Sequence, residues 1–439
     1  MGIYAAGYYG GAITAVMIGI PGVPGSVMTI IDGHVLAKKG RPEIALRAAA
    51  LGSSLGGIVG GLITILLIEH VARAFLAIKT PAKVLLILLA LIVVALSGKD
   101  ITKSATALVI GMLLAAIGTD PTYFWPRMTL GIRELAQGID LLTAIIGIFV
   151  VSEVIKIAIE RRKEIRSSIP ISKRFTFKDF IPSRSDFRNI DVRTILKSFL
   201  IGYFMGALPG TGGAMAALFA YTEAKRSSKF RDKFGQGALD GIIAPEAANN
   251  AVSGGALVPT ITLGIPGDAV TAMILGVLMV HGLVPGSHLL LEPEQRAIIY
   301  TALFALVIAS TLIIPFTILI GPGYTYILKI HASILWPFIL AISITGLYAA
   351  KFSLTQLILA FTIGLLTFIL ERLGYSKIPL LMGFILGPVF EKNLRSALAI
   401  SRMDPRIFVS DPICIVLLII NILAAYYFAI PFRKRIKVS

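Results

Sequence analysis

One acid, two amides and a hydroxyl stand close together at the mouth of an apolar run. They are Glu246, Asn249, Asn250 and Ser253. Carboxylate and amide oxygens are hard ligands that suit Na⁺, and a carboxylate at membrane depth can also relay a proton. A simpler alternative is that Pro245 begins a helix, so that Glu246 lies in the first turn and favours the helix dipole. Capping explains the acid but not the amides, and the cluster therefore predicts an ion or substrate site.

Two copies of one tetrapeptide mark an internal repeat. Gly10-Gly11-Ala12-Ile13 precedes Gly19-Ile20-Pro21-Gly22, and Gly254-Gly255-Ala256-Leu257 precedes Gly264-Ile265-Pro266-Gly267 at nearly the same spacing. Repeats that carry matched breaks at Pro and Gly are the best sequence indication of a transporter binding site. We therefore expect the two tetrads to occupy related positions in the fold.

Each tetrad is expected to break a helix near its middle. The half-helix after the break then presents a positive N-terminal end, and two such ends could receive an anionic substrate. Unwound carbonyl groups before the break would suit a cation, and Asp268 would cap the second half-helix. The alternative is a proline kink that only shapes the helix.

A third motif is Leu208-Pro209-Gly210-Thr211-Gly212-Gly213, inside the apolar run 194–222. Basic residues flank this run at both ends, which favours two cytoplasmic ends and a re-entrant hairpin with Pro-Gly at its tip. A single kinked crossing is the alternative. The glycines could bring bare backbone to a ligand, or they could serve close helix packing.

The elements that must position these residues are membrane helices. The chain has 439 residues, of which 56% are hydrophobic and only 15% charged, and its mean hydropathy is +0.85. These values exclude a soluble enzyme and a disordered tail. The net charge of +17 comes largely from clusters beside apolar runs, which is typical of cytoplasmic loops rather than of a nucleic-acid interface. Asp32 is predicted to be a solvated loop charge as well.

The predicted fold class is an all-α polytopic membrane protein with an internal repeat and Pro/Gly-broken helices, comprising about 10–12 transmembrane or re-entrant helices. The predicted boundaries are a first repeat half at 1–159, a basic cytoplasmic linker at 160–193, and a second half with the C-terminal helices at 194–439. No cleavable signal peptide is visible in this sequence.

Motifs of covalent chemistry are missing from the sequence. It contains no G-x-S-x-G, H-E-x-x-H, CxxC or Walker A pattern, and its one cysteine, Cys414, excludes a thiolate metal cluster. We therefore expect neither an enzyme nor a resident cofactor or metal. Without an ATP site, transport by this chain would draw on an ion gradient.

The chain resembles the large membrane subunit of the tripartite tricarboxylate transporters, the TctA family. The resemblance covers nearly the whole chain. The matching stretches run through Gly7-Tyr8-Tyr9-Gly10-Gly11, Asp32-Gly33, Gly118-Thr119-Asp120, Leu208 to Gly213, Phe234 to Gly267, and Gly383-Phe384-Ile385-Leu386-Gly387-Pro388. The block from Phe234 to Gly267 is the most specific of these.

This resemblance implies a secondary active transporter for small organic carboxylates, such as citrate-like tricarboxylates, in the cytoplasmic membrane of a prokaryote. It also implies coupling to Na⁺ or H⁺ and two partners, a small four-helix membrane subunit and an extracytoplasmic solute-binding protein. The rival functions are a membrane enzyme acting on a lipid or isoprenoid, and a non-transporting, truncated scaffold paralogue. The first would need converging acids at membrane depth, which the sequence does not show.

Family members usually carry a further N-terminal segment with its own Leu-Pro-Gly break. Here Met1 falls just before the first Gly-Gly pair. Either the start codon was assigned too late or this lineage lacks one hairpin, and the second alternative favours the scaffold. The predicted substrate- or ion-binding residues are Gly10, Gly11, Thr14, Gly19, Pro21, Gly22, Pro209, Gly210, Thr211, Gly212, Gly213, Glu246, Asn249, Asn250, Ser253, Gly254, Gly255, Gly264, Pro266 and Gly267.

Overall fold

The computed structural model divides into two compact units. It describes residues 1–19, 21–76, 78–96, 100–120, 123–160, 175–181, 190–209, 211–324 and 332–436. Ile20, Gly210 and most of the predicted linker lie outside the described residues. The first unit comprises residues 1–73, 162–271 and 281–331, and the second comprises residues 74–161, 272–280 and 332–439.

The first unit contains every predicted site residue. Its α-helices are α1 (Gly2–Ile18), α2 (Val35–Lys38), α3 (Pro42–Leu76), α8 (Val192–Ala207), α9 (Gly212–Ser227), α10 (Asp240–Leu263) and α12 (Pro293–Ile320). Shorter 3₁₀ turns lie at Pro24–Val27, Phe177–Phe180, Arg231–Lys233, Ser287–Leu290 and Gly321–Gly323, and a π-helical turn lies at Ile30–His34.

The second unit is also built from helices. Its α-helices are α4 (Thr80–Leu96), α5 (Ile101–Ala115), α6 (Leu141–Ile145), α7 (Ser152–Glu160), α11 (Ala269–Val280, which starts in the first unit), α13 (Ala332–Lys351), α14 (Leu354–Arg372), α15 (Lys377–Ile400) and α16 (Pro412–Ile436). A π-helical segment, Ile146–Val151, joins α6 to α7, and 3₁₀ turns lie at Arg133–Gln137 and Pro405–Val409. The short strands β1 (Gly118–Thr119) and β2 (Pro126–Arg127) pair antiparallel.

The all-α fold class is confirmed. Within the described residues, four helical spans are long and apolar enough to cross a membrane: Pro42–Leu76, Leu141–Ile159, Pro293–Gly323 and Leu354–Arg372. Six shorter apolar helices accompany them. A transmembrane helix needs roughly 20 apolar residues, and more where it is tilted, so these shorter described stretches do not meet that length by themselves.

The core of the first unit is α10, which is buried over almost its entire length. On one side, Gly52, Gly56 and Gly60 of α3 recur every fourth residue and face the α10 backbone. A methyl group on Gly52 would come within 2.7 Å of the Ile243 carbonyl oxygen, and one on Gly60 within 2.8 Å of the Ala251 carbonyl oxygen. Small residues at this spacing let two helix backbones approach closely. The α10 helix is therefore held rigidly by direct backbone contact.

The described residues of the motif, Leu208, Pro209 and Thr211–Gly213, lie where two packed helices meet. Helices α8 and α9 have 16 residues each and pack against one another and against α10. An ion pair of 2.7 Å between Lys197 Nζ and Glu223 Oε1 joins the start of α8 to the end of α9. This geometry agrees with a hairpin and not with a single kinked helix.

The helix around Glu246 begins earlier than the alternative interpretation assumed. Asp240 is the first residue of α10, and Pro245 lies inside the helix. Glu246 is therefore beyond the first turn, and capping of this helix does not explain it. The proline removes one internal hydrogen bond, and packing against α3 and α8 compensates for the local weakness.

The two tetrads begin with the same backbone geometry. Gly19 ends α1 with φ 70° and ψ 21°, and Gly264 ends α10 with φ 69° and ψ 21°. This left-handed conformation is easy for glycine alone, and it is a common helix C-terminus. The two copies of the sequence repeat therefore have the same backbone conformation at these two glycines.

The two tetrads are followed by different helical segments. After the first tetrad come the 3₁₀ turn Pro24–Val27, the π-helical turn Ile30–His34 and the four-residue helix α2. The second tetrad is followed by α11, whose N-terminus is capped as expected by Asp268, because the Thr271 N–H donates to Asp268 Oδ1 at 2.7 Å. A carboxylate of the chain itself thus occupies the positive end that was assigned to substrate.

Candidate functional site

The Glu246 carboxylate is fully buried and bound by hydroxyl groups from two other segments. Thr29 donates to its Oε1, and Ser53 of α3 donates to its Oε2 at 3.0 Å. Ser26 also lies beside this carboxylate. Three chain segments, the bend at 24–29, α3 and α10, therefore converge on one acid.

The Asn249 side chain is fully buried, and neither its Oδ1 nor its Nδ2 has a hydrogen-bond partner. It lies between Gly25 in the bend after the first tetrad and Gly213 at the start of α9. A methyl group at either glycine would overlap its amide oxygen. A buried amide without partners is costly, and such groups in a native structure call for a ligand or an ion.

Asn250 and Ser253 make bonds within their own helix. Asn250 Nδ2 donates to the Glu246 carbonyl at 3.3 Å, and Ser253 Oγ donates to the Asn250 carbonyl at 2.6 Å. Asn250 Oδ1 has no donor and is buried. Because residues three and four apart share one side of a helix, Asn249 and Asn250 lie next to Glu246.

No basic side chain balances the Glu246 carboxylate in this cluster. In the part of the chain that the structure describes, no lysine or arginine is among the buried residues. The cluster offers carboxylate and amide oxygens, together with one free amide N–H₂ group. Its chemistry suits reversible binding of a cation and of a polar anion beside it.

Several predicted glycines face neighbouring backbone. A methyl group on Gly267 would come within 2.5 Å of the Gly206 carbonyl oxygen, and one on Gly22 within 2.8 Å of Gly11 Cα. Methyl groups on Gly254 and Gly255 would overlap carbonyl oxygens of α3 and α8. Close packing therefore explains why these positions lack side chains, and a binding role for them stays a prediction.

The remaining predicted residues shape the bends or line them. Thr14 Oγ1 donates to the Gly11 carbonyl at 3.0 Å, and Thr211 Oγ1 donates to the Leu208 carbonyl at 3.0 Å.

No neighbouring atom lies within 4 Å of a methyl group built on Gly10. Gly212 adopts φ 57° beside Asp268. Buried Pro266 and half-buried Pro21 and Pro209 sit in the bends, whereas Gly210 lies outside the described residues.

A second polar contact links α1 to the second tetrad. The Tyr8 hydroxyl donates to Asp268 Oδ2 at 2.5 Å, and the Tyr4 hydroxyl donates to the same oxygen at 3.2 Å. All three side chains are buried. The first repeat is thereby fastened to the residue that caps α11.

Asp32 is not a solvated loop charge, contrary to the prediction. It is fully buried, and its Oδ1 accepts from the backbone N–H groups of Gly235, Gly237 and Ala238 at 2.8–2.9 Å. The Tyr221 hydroxyl donates to its Oδ2 at 3.0 Å. Four donors stabilise this carboxylate, which pins the loop before α10.

Sequence reasoning missed the residues that complete the cluster from outside α10. These are Gly25, Ser26, Thr29 and Ser53. Two signals were present: small polar residues directly follow the first tetrad, and Ser53 interrupts an apolar, glycine-rich helix. Neither signal says which helix the residue faces, because that depends on long-range packing.

Comparison with known proteins identifies relatives along the whole chain. A family model described as "Tripartite tricarboxylate transporter TctA family" matches residues 1–382. The "Uncharacterized 52.8 kDa protein in TAR-I ttuC' 3'region" of Agrobacterium vitis is 33% identical over 422 residues, covering 96% of this chain and 82% of that protein. An "Uncharacterized protein in TAR-II ttuC' 3'region" of the same organism is 34% identical over 217 residues, covering 49% and 89%. No solved structure matches the chain significantly.

Proposed function

Because the chain belongs to the TctA family of tripartite tricarboxylate transporters, we propose that it is a permease that moves small organic carboxylates, driven by a Na⁺ or H⁺ gradient. The long apolar helices and the family together make it a multi-pass membrane protein. In this proposal it resides in a prokaryotic cytoplasmic membrane and performs no covalent chemistry. Citrate-like tricarboxylates are the first substrates to test.

One observation carries the proposal: the Asn249 amide is fully buried and has no partner within the described residues. Carboxylates are recognised by N–H donors. A buried N–H donor without an acceptor is stabilised when a ligand oxygen accepts its hydrogen bond. Gly25, in the 3₁₀ turn Pro24–Val27, and Gly213, in the first turn of α9, flank this amide. The substrate carboxylate is proposed to bind at this junction.

Three separate segments meet at the junction, and this arrangement suits transport. The bend at 24–29, the hairpin tip at 208–213 and the middle of α10 each contribute to it. Irregular backbone at membrane depth is tolerated where it lines a cavity, and transporter sites are built from such broken segments. Small movements of one bend relative to α10 would open or close the site without unfolding a helix.

The proposal includes two partners. The family's description names a tripartite system. The proposed partners are a small membrane subunit and an extracytoplasmic solute-binding protein. In this arrangement the binding protein delivers substrate, and the chain described here provides the path across the membrane. The choice among carboxylates is therefore shared between two proteins.

The test is uptake of labelled carboxylates by cells that express all three subunits, with imposed Na⁺ or H⁺ gradients. Asn249→Ala is expected to lower apparent substrate affinity about tenfold to a hundredfold, the loss of roughly 1–3 kcal/mol for one good contact. The matched control is Asn393→Ala, because Asn393 is half-buried and its amide donates only to the Val389 carbonyl of its own helix. Wild-type uptake by Asn249→Ala, or no uptake of any carboxylate by the complete system, would contradict the proposal.

A further inference from the structure

The buried cluster on α10 has more acceptors than donors. Each Glu246 oxygen receives one hydroxyl hydrogen, from Thr29 and from Ser53. Asn249 Oδ1 and Asn250 Oδ1 receive none. Both amide oxygens belong to side chains that are fully buried, so bulk water does not satisfy them. The cluster therefore lacks positive charge and also lacks partners for two oxygens.

A proton would remedy only part of this deficit. Protonating Glu246 cancels its charge, but the proton lies on one carboxylate oxygen and leaves both amide oxygens without a donor. A metal cation supplies the charge and can be coordinated by several oxygens at once. The hydroxyl oxygens that bind Glu246 keep lone pairs that can join such a shell.

The charge of the cluster indicates the valence of the cation. One carboxylate is present, and among the described residues no group of three or more His, Cys, Asp or Glu side chains is placed to hold a metal. Ca²⁺ sites usually combine several carboxylates, whereas a single negative charge balances one monovalent ion. The oxygen-only shell selects a hard cation over a soft transition metal.

We propose that Glu246, Asn249 and Asn250 form a Na⁺ site, and that the bound Na⁺ supplies the positive charge that attracts the substrate carboxylate. With no buried lysine or arginine among the described residues, an ionised Glu246 repels an anion unless a cation binds beside it. Na⁺ must therefore bind before the substrate. This inference rests on the proposed function for the role of the ion in transport, but binding of Na⁺ is measurable without transport.

The first experiment measures ²²Na⁺ binding to the purified full chain in nanodiscs, with choline chloride holding the ionic strength constant. Saturable binding is expected for the wild type, and Glu246→Gln and Asn250→Ala are each expected to weaken it at least about tenfold. The control is Asp240→Asn. Asp240 is a buried acid of the same helix, but Ser228 and the Asp191 N–H bind it away from the cluster. This variant is expected to bind Na⁺ like the wild type.

A second measurement needs no variant and so does not depend on variant folding. NaCl is expected to raise the melting temperature of the wild-type protein more than equimolar KCl or choline chloride does. Substrate binding to the same protein is expected only when Na⁺ is present. Equal melting temperatures in the three salts, or unchanged ²²Na⁺ binding in folded Glu246→Gln, would overturn the site.

The failure of this inference is distinguishable from failure of the proposed function. Uptake that a proton gradient drives in the absence of Na⁺ would overturn the Na⁺ site and leave carboxylate transport standing. Saturable Na⁺ binding that Glu246→Gln removes, in a protein that transports no carboxylate, would support the site and contradict the transport proposal.

Discussion

The two Gly-Ile-Pro-Gly segments share a bend but not its surroundings. Their first glycines have almost identical left-handed backbone angles, and each ends a helix of the first unit. After the first bend the chain makes a 3₁₀ turn, whereas after the second it enters the twelve-residue helix α11. The repeat therefore preserves the way a helix stops and not what comes next.

The side chains around the two bends differ further. The helix before the second bend carries Glu246, Asn249 and Asn250, whereas α1 carries Tyr4 and Tyr8. The first repeat contributes side chains that bind acids of the second repeat. The first bend brings Thr29 to Glu246, and the tyrosines of α1 bind Asp268 beside the second bend.

The shared positions and the differing positions of the repeat have different roles. The positions that the repeat shares are mainly glycines. Some of them pack against backbone (Gly22, Gly254, Gly255 and Gly267), and Gly19 and Gly264 give each bend its left-handed angle. Positions that the repeat does not share carry the unpartnered amides and the buried acid. Polar function at a buried site is therefore expected where the two repeats diverge.

The largest expected effect is the loss of stability in Gly267→Ala. The added methyl group would lie 2.5 Å from the Gly206 carbonyl and 2.7 Å from Ala256 Cβ, so backbone must move. Overpacking of this kind typically costs 1–3 kcal/mol, and we expect about 3 kcal/mol here. Gly22→Ala is expected to cost somewhat less, about 2 kcal/mol. Its contact at 2.7 Å is the Thr14 hydroxyl, which can rotate, but its backbone contact with Gly11 Cα at 2.8 Å remains.

Melting temperature and uptake are measured together for both variants. Loss of uptake that parallels the loss of stability would assign these glycines to packing. If uptake affinity fell strongly while both melting temperatures stayed near that of the wild type, the glycines would instead be positions where backbone approaches substrate.

The sequence predicted the type of fold well, because apolar length and basic clusters follow directly from the bilayer. It also located α10 and its acid–amide cluster, and it placed a hairpin tip at Pro209. It did not predict that Pro245 lies inside a helix, since tertiary packing against α3 overrides the local preference of proline. The burial of Asp32 was missed for a similar reason, because its donors lie about 200 residues further along the chain.

The partners of Glu246 were beyond sequence reasoning. Thr29 and Ser53 are ordinary small polar residues, and their contact with α10 depends on glycine-mediated helix packing. Periodicity shows which residues share a face but not which helix that face meets. The sequence pattern therefore predicts the residues that α10 contributes to this site, but not the residues that other segments contribute.

An intermediate effect is expected where α1 binds Asp268. Tyr8→Phe removes the shorter bond, of 2.5 Å, and Tyr4→Phe removes the bond of 3.2 Å. A hydrogen bond to a charged group is worth about 1.5–3 kcal/mol, so Tyr8→Phe should cost about 2 kcal/mol and Tyr4→Phe less. Thermal unfolding of the purified protein measures both.

The control for this pair is Tyr123→Phe, since Tyr123 is 69% exposed. It should unfold like the wild type. Equal stability of Tyr8→Phe and Tyr123→Phe would show that the link between α1 and the second bend does not hold the repeats together.

The smallest effect tests the bends where they are most alike. Gly264→Ala places a methyl group in ordinary van der Waals contact, 3.7 Å from Pro285 Cβ, so its cost should be that of the left-handed backbone alone, about 1–2 kcal/mol. Gly19→Ala adds a collision with the His34 ring at 2.9 Å and should cost more. The collision involves the side chain of His34 and not its backbone. In the His34→Ala background, Gly19→Ala should therefore lose only the stability that Gly264→Ala loses. A double-mutant cycle on melting free energies measures this coupling. No coupling between positions 19 and 34 would mean that the first bend tolerates the methyl group by moving as a whole, and the two bends would then differ in rigidity as well as in chemistry.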